Sequence, residues 1–177
     1  MTTPNDLDAE TVIALLGLSR HPEGGWFRET FRDSASTAIY YLLKAGEVSQ
    51  WHRIDKSEIW HWHGDAALDF SLSRDVKAGE RYVLGADLAS DQRPQLAVPP
   101  GAWQSARSLG AWSLMGCSVA PPFDFALRAG AEGLGARLTP PSFPRKRGRQ
   151  KKLIHMLAAV DREGRAGDES PLVGDQE

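Results

Sequence analysis

From Trp26 onward the sequence is cut into short segments bounded by Gly, Pro, Asp or Ser, and this punctuation limits the possible folds more than any other feature. The segments span residues 26–32, 37–44, 48–52, 58–63, 66–73, 80–84, 95–98 and 111–119. Several are rich in β-branched or aromatic residues and several alternate, so turn signals at these intervals predict an all-β sandwich or barrel. The 17 glycines, 11 prolines and 6 tryptophans agree: many turns, with large flat side chains between them. One helix is predicted ahead of the strands, over 5–17, where Val12, Ile13, Leu15 and Leu16 recur at near-helical spacing. Asp6 or Asp8 is placed to cap it and Gly17 to end it in a left-handed turn.

A chain of 177 residues is roughly one domain's worth, long enough to close a core without staples. Its 21 basic and 23 acidic residues leave a net charge of −2, so no whole-molecule field draws nucleic acid or anionic lipid. Apolar runs such as 38–43 are too short to span a bilayer. The single cysteine, Cys117, excludes an intramolecular disulfide framework, and the first residues carry no export-like pattern, so a cytoplasmic location is the expectation. The division expected is an N-terminal helix over 1–19, a β-module over 20–130 and a tail over 131–177. Within the tail, 145–152 is a basic run, 151–160 a short amphipathic helix, and 161–177 polar and disordered.

The chemistry-bearing residues crowd into 49–64, where His52, His61 and His63 stand with Glu58. Imidazole and carboxylate are ligands that Zn, Fe, Mn or Ni accept, and they are equally the acid, base and hydrogen-bonding groups of a metal-free pocket. Strand alternation puts Glu58, Trp60 and Trp62 on one face and Ile59, His61 and His63 on the other, so all four groups cannot meet one ion. Either Glu58 works with His52 across the turn, or His61 and His63 pair on the opposite face. Alternation likewise groups Arg28, Thr30 and Arg32 against Phe27, Glu29 and Phe31. An inward Arg28 or Arg32 would suit a carboxylate or phosphate, and a surface cross-strand ion pair is the alternative. Glu23-Gly24-Gly25 reads as a turn entering the first strand, and Cys117 as a small buried hydrophobe.

Four ordered stretches carry a resemblance. They are His21-Pro22-Glu23-Gly24-Gly25-Trp26-Phe27-Arg28-Glu29-Thr30, then His52-Arg53 with Ser57-Glu58-Ile59-Trp60-His61, then Val98-Pro99-Pro100-Gly101-Ala102-Trp103-Gln104, and Gly116-Cys117-Ser118-Val119-Ala120-Pro121-Pro122-Phe123-Asp124-Phe125. Together they resemble the cupin type 5 family over about residues 7–125. The resemblance implies a double-stranded β-helix, or jelly roll, usually assembled as a homodimer, whose members are described as binders of sugars, nucleotides or other small molecules. In metal-binding cupins three histidines and a glutamate face into the barrel; the matching positions here are Gln50, His52, Glu58 and Gln104. His52, Glu58 and Gln104 are then the candidate ligands of a weakly held divalent metal.

The same resemblance makes His52 and Glu58 the acid/base candidates. Arg28, Glu29, Gln50, Trp60, His61, Trp62, Trp103 and Gln104 are the candidate substrate contacts, with the tryptophans as flat walls. After Phe125 the pattern departs from the family, and loss of a closing strand would leave one sheet edge open. Three functions are compatible: an isomerase- or epimerase-like enzyme acting on a polar, sugar- or nucleotide-like metabolite, a non-catalytic ligand-binding or interaction module, and a metal-dependent oxygenase.

Overall fold

The computed structural model describes residues 7–75 and 78–124 together with the backbone of 129–130, all within a compact unit spanning 1–146. The basic run, the 151–160 helix and the rest of the tail expected over 131–177 lie outside the described residues.

Asp8 caps helix α1 (Ala9–Leu16) by accepting the Thr11 backbone N–H at 2.7 Å, and Gly17 ends the helix in the left-handed conformation at φ 62°. Eleven strands follow: β1 (Ser19–Arg20), β2 (Trp26–Arg32), β3 (Thr37–Lys44), β4 (Val48–Arg53), β5 (Ser57–Asp65), β6 (Leu68–Ser73), β7 (Gly79–Leu84), β8 (Gln95–Val98), β9 (Trp103–Ser108), β10 (Trp112–Ala120) and β11 (Ala129–Gly130). They form a six-stranded sheet in the order β1-β2-β3-β10-β5-β8 and a five-stranded sheet in the order β11-β4-β9-β6-β7. Every strand pairing is antiparallel, and the two sheets make the jelly-roll sandwich expected from the sequence. No helix among the described residues is long and apolar enough to cross a membrane.

The apolar run in β3 records burial on both of its faces. Tyr41 and Leu43 point between the sheets, whereas Leu42 points outward beneath α1, where Val12, Ile13 and Leu18 cover it. Such double coverage erases the alternation that a half-solvated strand shows. In β6, by contrast, Leu68, Phe70 and Leu72 enter the interior and Asp69 faces out, yet Asp69 is only 2% exposed because Arg81 of β7 and Arg107 of β9 close over it from both sides. Strand β9 is the element for which the sequence shows little beyond its start. Its WQSARS run is polar, and pairing on both edges, with β4 and β6, makes it a strand. A short strand does follow the departure from the family pattern: β11 closes the edge of β4, pairing Ala129 with Arg53 and Gly130 with His52.

Candidate functional site

The interior is filled unevenly. At one end Leu43, Leu68, Phe70, Leu72, Leu84, Leu96 and Met115 make a solid aliphatic and aromatic core. At the other end, past Tyr41 and Trp60, lies a cavity open to solvent at its mouth. Phe27 and Glu29 of β2 line it, with Thr37 and Ile39 of β3, Ser49 and His52 of β4, Glu58 of β5, and Cys117 and Val119 of β10. His21, Glu23 and Phe123 complete the wall from loops.

One hydrogen-bond network organises the deep wall. The Trp60 indole Nε1–H donates to Gln104 Oε1 at 3.1 Å, and because an indole nitrogen only donates, it fixes which end of the amide faces where. The Gln104 NH₂ group therefore points the other way, donating to Glu58 Oε2 and to His52 Nε2, the latter at 3.0 Å. An accepting Nε2 places the proton of neutral His52 on Nδ1, which lies 2.8 Å from the Gln50 carbonyl oxygen and 3.2 Å from Glu23 Oε2. Gln104 is fully buried, Glu58 is 7% exposed, and no buried side-chain nitrogen or oxygen among the described residues lacks a partner.

Burial pushes the Glu58 carboxyl above the usual carboxylate range. His52, the Gln104 and Trp60 hydrogen bonds pull it down by less, and Glu23 adds to the rise. The Cys117 thiol is pushed up by burial and by Glu58 beside it, so it is not a ready nucleophile. The Tyr41 hydroxyl, also raised by burial, donates to the Gly24 carbonyl oxygen at 2.6 Å.

Two β-bulges decide which residues reach this cavity. In β4 the register with β9 shifts between Ser49 and His52, so Ser49 and His52 face inward while Gln50 is exposed. Gln50 thus contributes backbone alone: its carbonyl oxygen faces His52 and its N–H donates to the Glu23 carbonyl oxygen at 2.8 Å. In β2 the register slips between Glu29 and Phe31, which overturns the expected rows. Glu29 and Arg32 come onto one face and form an ion pair at 2.6 Å, while Phe31 turns out to solvent at 49% exposure. Arg28, which precedes the slip, lies on the outer face against Gly17.

The remaining candidates separate by strand parity. Glu58, Trp60 and Trp62 do share the inner face, but Trp62 packs against the solid core and donates to the Ala66 carbonyl oxygen at 3.0 Å, away from the cavity. His61 pairs with Gly116 on the outer face, where a third bulge lays His63 over Gly116 and near Tyr40. Burial, then His61, holds the His63 imidazole below its ordinary value. Trp103 precedes Gln104 by one position and so faces away from the cavity, stacked by Arg53 at 4.9 Å. Of the three tryptophans expected as walls, Trp60 alone borders the cavity.

Glu23 and His21 went unrecognised as site residues because Glu23-Gly24-Gly25 reads as a turn. The turn dives into the barrel instead. Gly24 and Gly25 adopt φ 101° and 76°, and a Cβ on them would stand 2.2 Å from the Val48 carbonyl oxygen and 2.7 Å from that of Leu42. Only glycine permits that approach, which carries Glu23 to His52. The signal available in the sequence was an acid held between a histidine and two consecutive glycines.

The residues expected to hold a divalent metal do not fit one. His52 Nε2 accepts an amide hydrogen, Gln104 presents its NH₂ rather than its oxygen, and Gln50 faces out. Turning the Gln104 amide to offer oxygen would set its NH₂ against the Trp60 indole N–H, donor against donor. Among the described residues no group of three or more His, Cys, Asp or Glu side chains is arranged to hold a metal ion. Zn(II), Mn(II) or Ni(II) added to purified protein is therefore expected to leave the Trp60 indole N–H resonance in place, and a stoichiometric shift of that resonance would contradict the assigned amide orientation.

A two-sheet jelly roll with its interior filled at one end and hollow at the other is the architecture of a small β-barrel with a pocket at its mouth. The family model for the Cupin superfamily (DUF985) matches residues 10–129, and the chain belongs to that family. A structure from Shewanella oneidensis is similar at 32% identity and a TM-score of 0.67, over 70% of this chain and 84% of that one. A hypothetical protein from Leishmania major is similar at 26% identity and a TM-score of 0.66, over 70% of this chain and 86% of that one. Oxalate decarboxylase from Bacillus subtilis shares the fold at 13% identity and a TM-score of 0.54, over 82% of this chain and 35% of that one. No curated protein matches the sequence.

Proposed function

We propose that the hollow end of the barrel binds a small polar metabolite and moves a proton on it, as an isomerase or epimerase does. The observation that carries this reading is Glu58, a carboxyl buried at the cavity wall whose hold on its proton is raised above the usual carboxylate range by that burial. A proton-holding acid facing a pocket is a general acid in position. Glu23, which lines the same cavity beside His52 and His21, is the candidate acceptor. The proton leaves a substrate carbon for Glu23 while Glu58 protonates the carbonyl oxygen beside it; Glu23 then delivers a proton to the neighbouring, former carbonyl carbon and Glu58 regains one from the hydroxyl on the first carbon, which completes an isomerisation with no net change in charge. His52 acts as a positioning residue, since both of its ring nitrogens are engaged by protein groups.

That engagement also favours a second reading, a non-catalytic binding module with the same pocket. Solvent exchange separates the two. If a metabolite recovered with the protein exchanges a carbon-bound hydrogen in D₂O, and Glu58→Gln slows the exchange about 100-fold or more while binding persists, the enzymatic reading stands. Binding without exchange leaves the module. Unchanged binding in both Glu58→Gln and Trp60→Ala would move the site elsewhere.

A homodimer, the family's usual assembly, and a cytoplasmic location are part of the same proposal.

A further inference from the structure

The ionisable lining of the cavity is rich in acids. Glu23, Glu29 and Glu58 bring three carboxyl groups to it from a loop, β2 and β5, Glu29 already paired with Arg32, and among the described residues no lysine or arginine lines it. Of the two guanidinium groups that the sequence offered for an anionic ligand, one lies outside the cavity and the other stands beside it, already paired. Arg28 is on the outer face against Gly17. Arg32 is held by Glu29 through three contacts of 2.6 to 3.1 Å and donates to the Phe123 carbonyl oxygen at 3.1 Å.

The apolar lining is aromatic where the acids converge. Tyr41 and Trp60 stand edge to face with ring centroids 5.5 Å apart, and Phe27 packs against His21 at 4.7 Å. Phe123 closes the same cavity at its rim. Carboxyl oxygens set among aromatic faces attract an organic cation from two sides, by direct charge and by the ring quadrupole. A carboxylate or phosphate would meet the like charge of Glu23, with the Arg32 guanidinium already engaged by Glu29.

We propose that the cavity takes a small organic cation, an ammonium group on a compact apolar body, and discriminates against carboxylate- and phosphate-bearing metabolites. This rests on the reading of the hollow end as a binding site and narrows its ligand class. Glu29 is the specificity-determining residue best suited to test it, because it is partly exposed and lies outside the Gln104 network. Glu23 is the deeper partner, beside His52.

The test uses full-length protein and four matched probes: n-butylammonium, tetramethylammonium, 1-butanol and butyrate. Binding is followed through the Trp60 indole N–H resonance, assigned with Trp60→Phe. The expected result is that both ammonium probes shift the resonance and bind about tenfold or more tighter than 1-butanol, while butyrate leaves it unmoved. Glu29→Gln is expected to weaken the ammonium probes several-fold without changing the weaker 1-butanol affinity. If butyrate or 1-butanol shifts the resonance at the same or lower concentration, the charge class is wrong and the binding site stands. If no probe of any class moves it, both the inference and the binding-site reading fail.

Discussion

Glu58→Gln is expected to melt at a higher temperature than the parent protein at pH 8 and at nearly the same temperature close to pH 4. The cause is proton linkage. Burial raises the carboxyl of Glu58 in the folded chain above its ordinary value of 4.5, whereas in the unfolded chain it titrates near that value. Below the ordinary carboxyl range both states hold the proton and burial of a neutral acid carries little penalty. As the pH rises through that range the unfolded chain releases its proton and the folded chain retains it, so stability falls until the folded group also ionises. Glutamine has no proton to lose and escapes this penalty, while its side-chain oxygen still accepts the Gln104 NH₂ in place of Glu58 Oε2. Each unit of upward shift corresponds to about 1.4 kcal/mol. For a chain of this size, 1 kcal/mol is worth roughly 2–4 °C in melting temperature. Paired thermal melts of parent and variant at pH 4, 6 and 8 measure the effect. Gain of stability together with loss of proton transfer would mark Glu58 as a residue kept for chemistry at the expense of the fold. A variant less stable than the parent at pH 8 would show that the hydrogen bonds from Gln104 and Trp60 outweigh burial.

The fold was legible in the sequence because its cause is local. Turn residues recur at strand-length intervals, alternation marks the inner face of β5, and Asp8 and Gly17 bracket α1 with capping chemistry. The inner row Glu58, Trp60, Trp62 follows from parity alone. What parity could not give is the effect of a bulge, since one extra residue reverses the facing of everything beyond it and nothing in the residue types announces it. The shift in β4 exchanges Gln50 for Ser49 at the cavity wall, and the shift in β2 joins Arg32 to Glu29. Depth along the strand is equally hidden. Trp60 and Trp62 share a face, yet one borders the cavity and the other the solid core, because the aliphatic residues that fill the far end arrive from β6, β7 and β8. Glu23 escaped for the opposite reason: its position depends on a backbone approach to β3 and β4 across the barrel, which no local pattern encodes.

Gln104→Leu carries the largest expected cost, roughly 3–6 kcal/mol in a denaturant titration, although leucine is apolar and similar in size. The substitution creates little cavity; it removes one side chain that satisfies three others. His52 Nε2 loses its donor, and the Trp60 indole N–H and Glu58 each lose one partner and keep only each other, all in a buried setting. A buried polar group left without a partner costs about 1–3 kcal/mol, and the three affected groups are too close for their penalties to add independently. Trp60→Phe provides the control, because phenylalanine has no N–H to orphan. In that background Gln104→Leu is expected to cost about 1–2 kcal/mol less than in the parent, the coupling being the penalty of the stranded indole. Equal costs in the two backgrounds would mean that the Trp60 N–H does not set the orientation of Gln104. The amide would then be free to turn its oxygen towards His52 and Glu58, where a cation could be held between them.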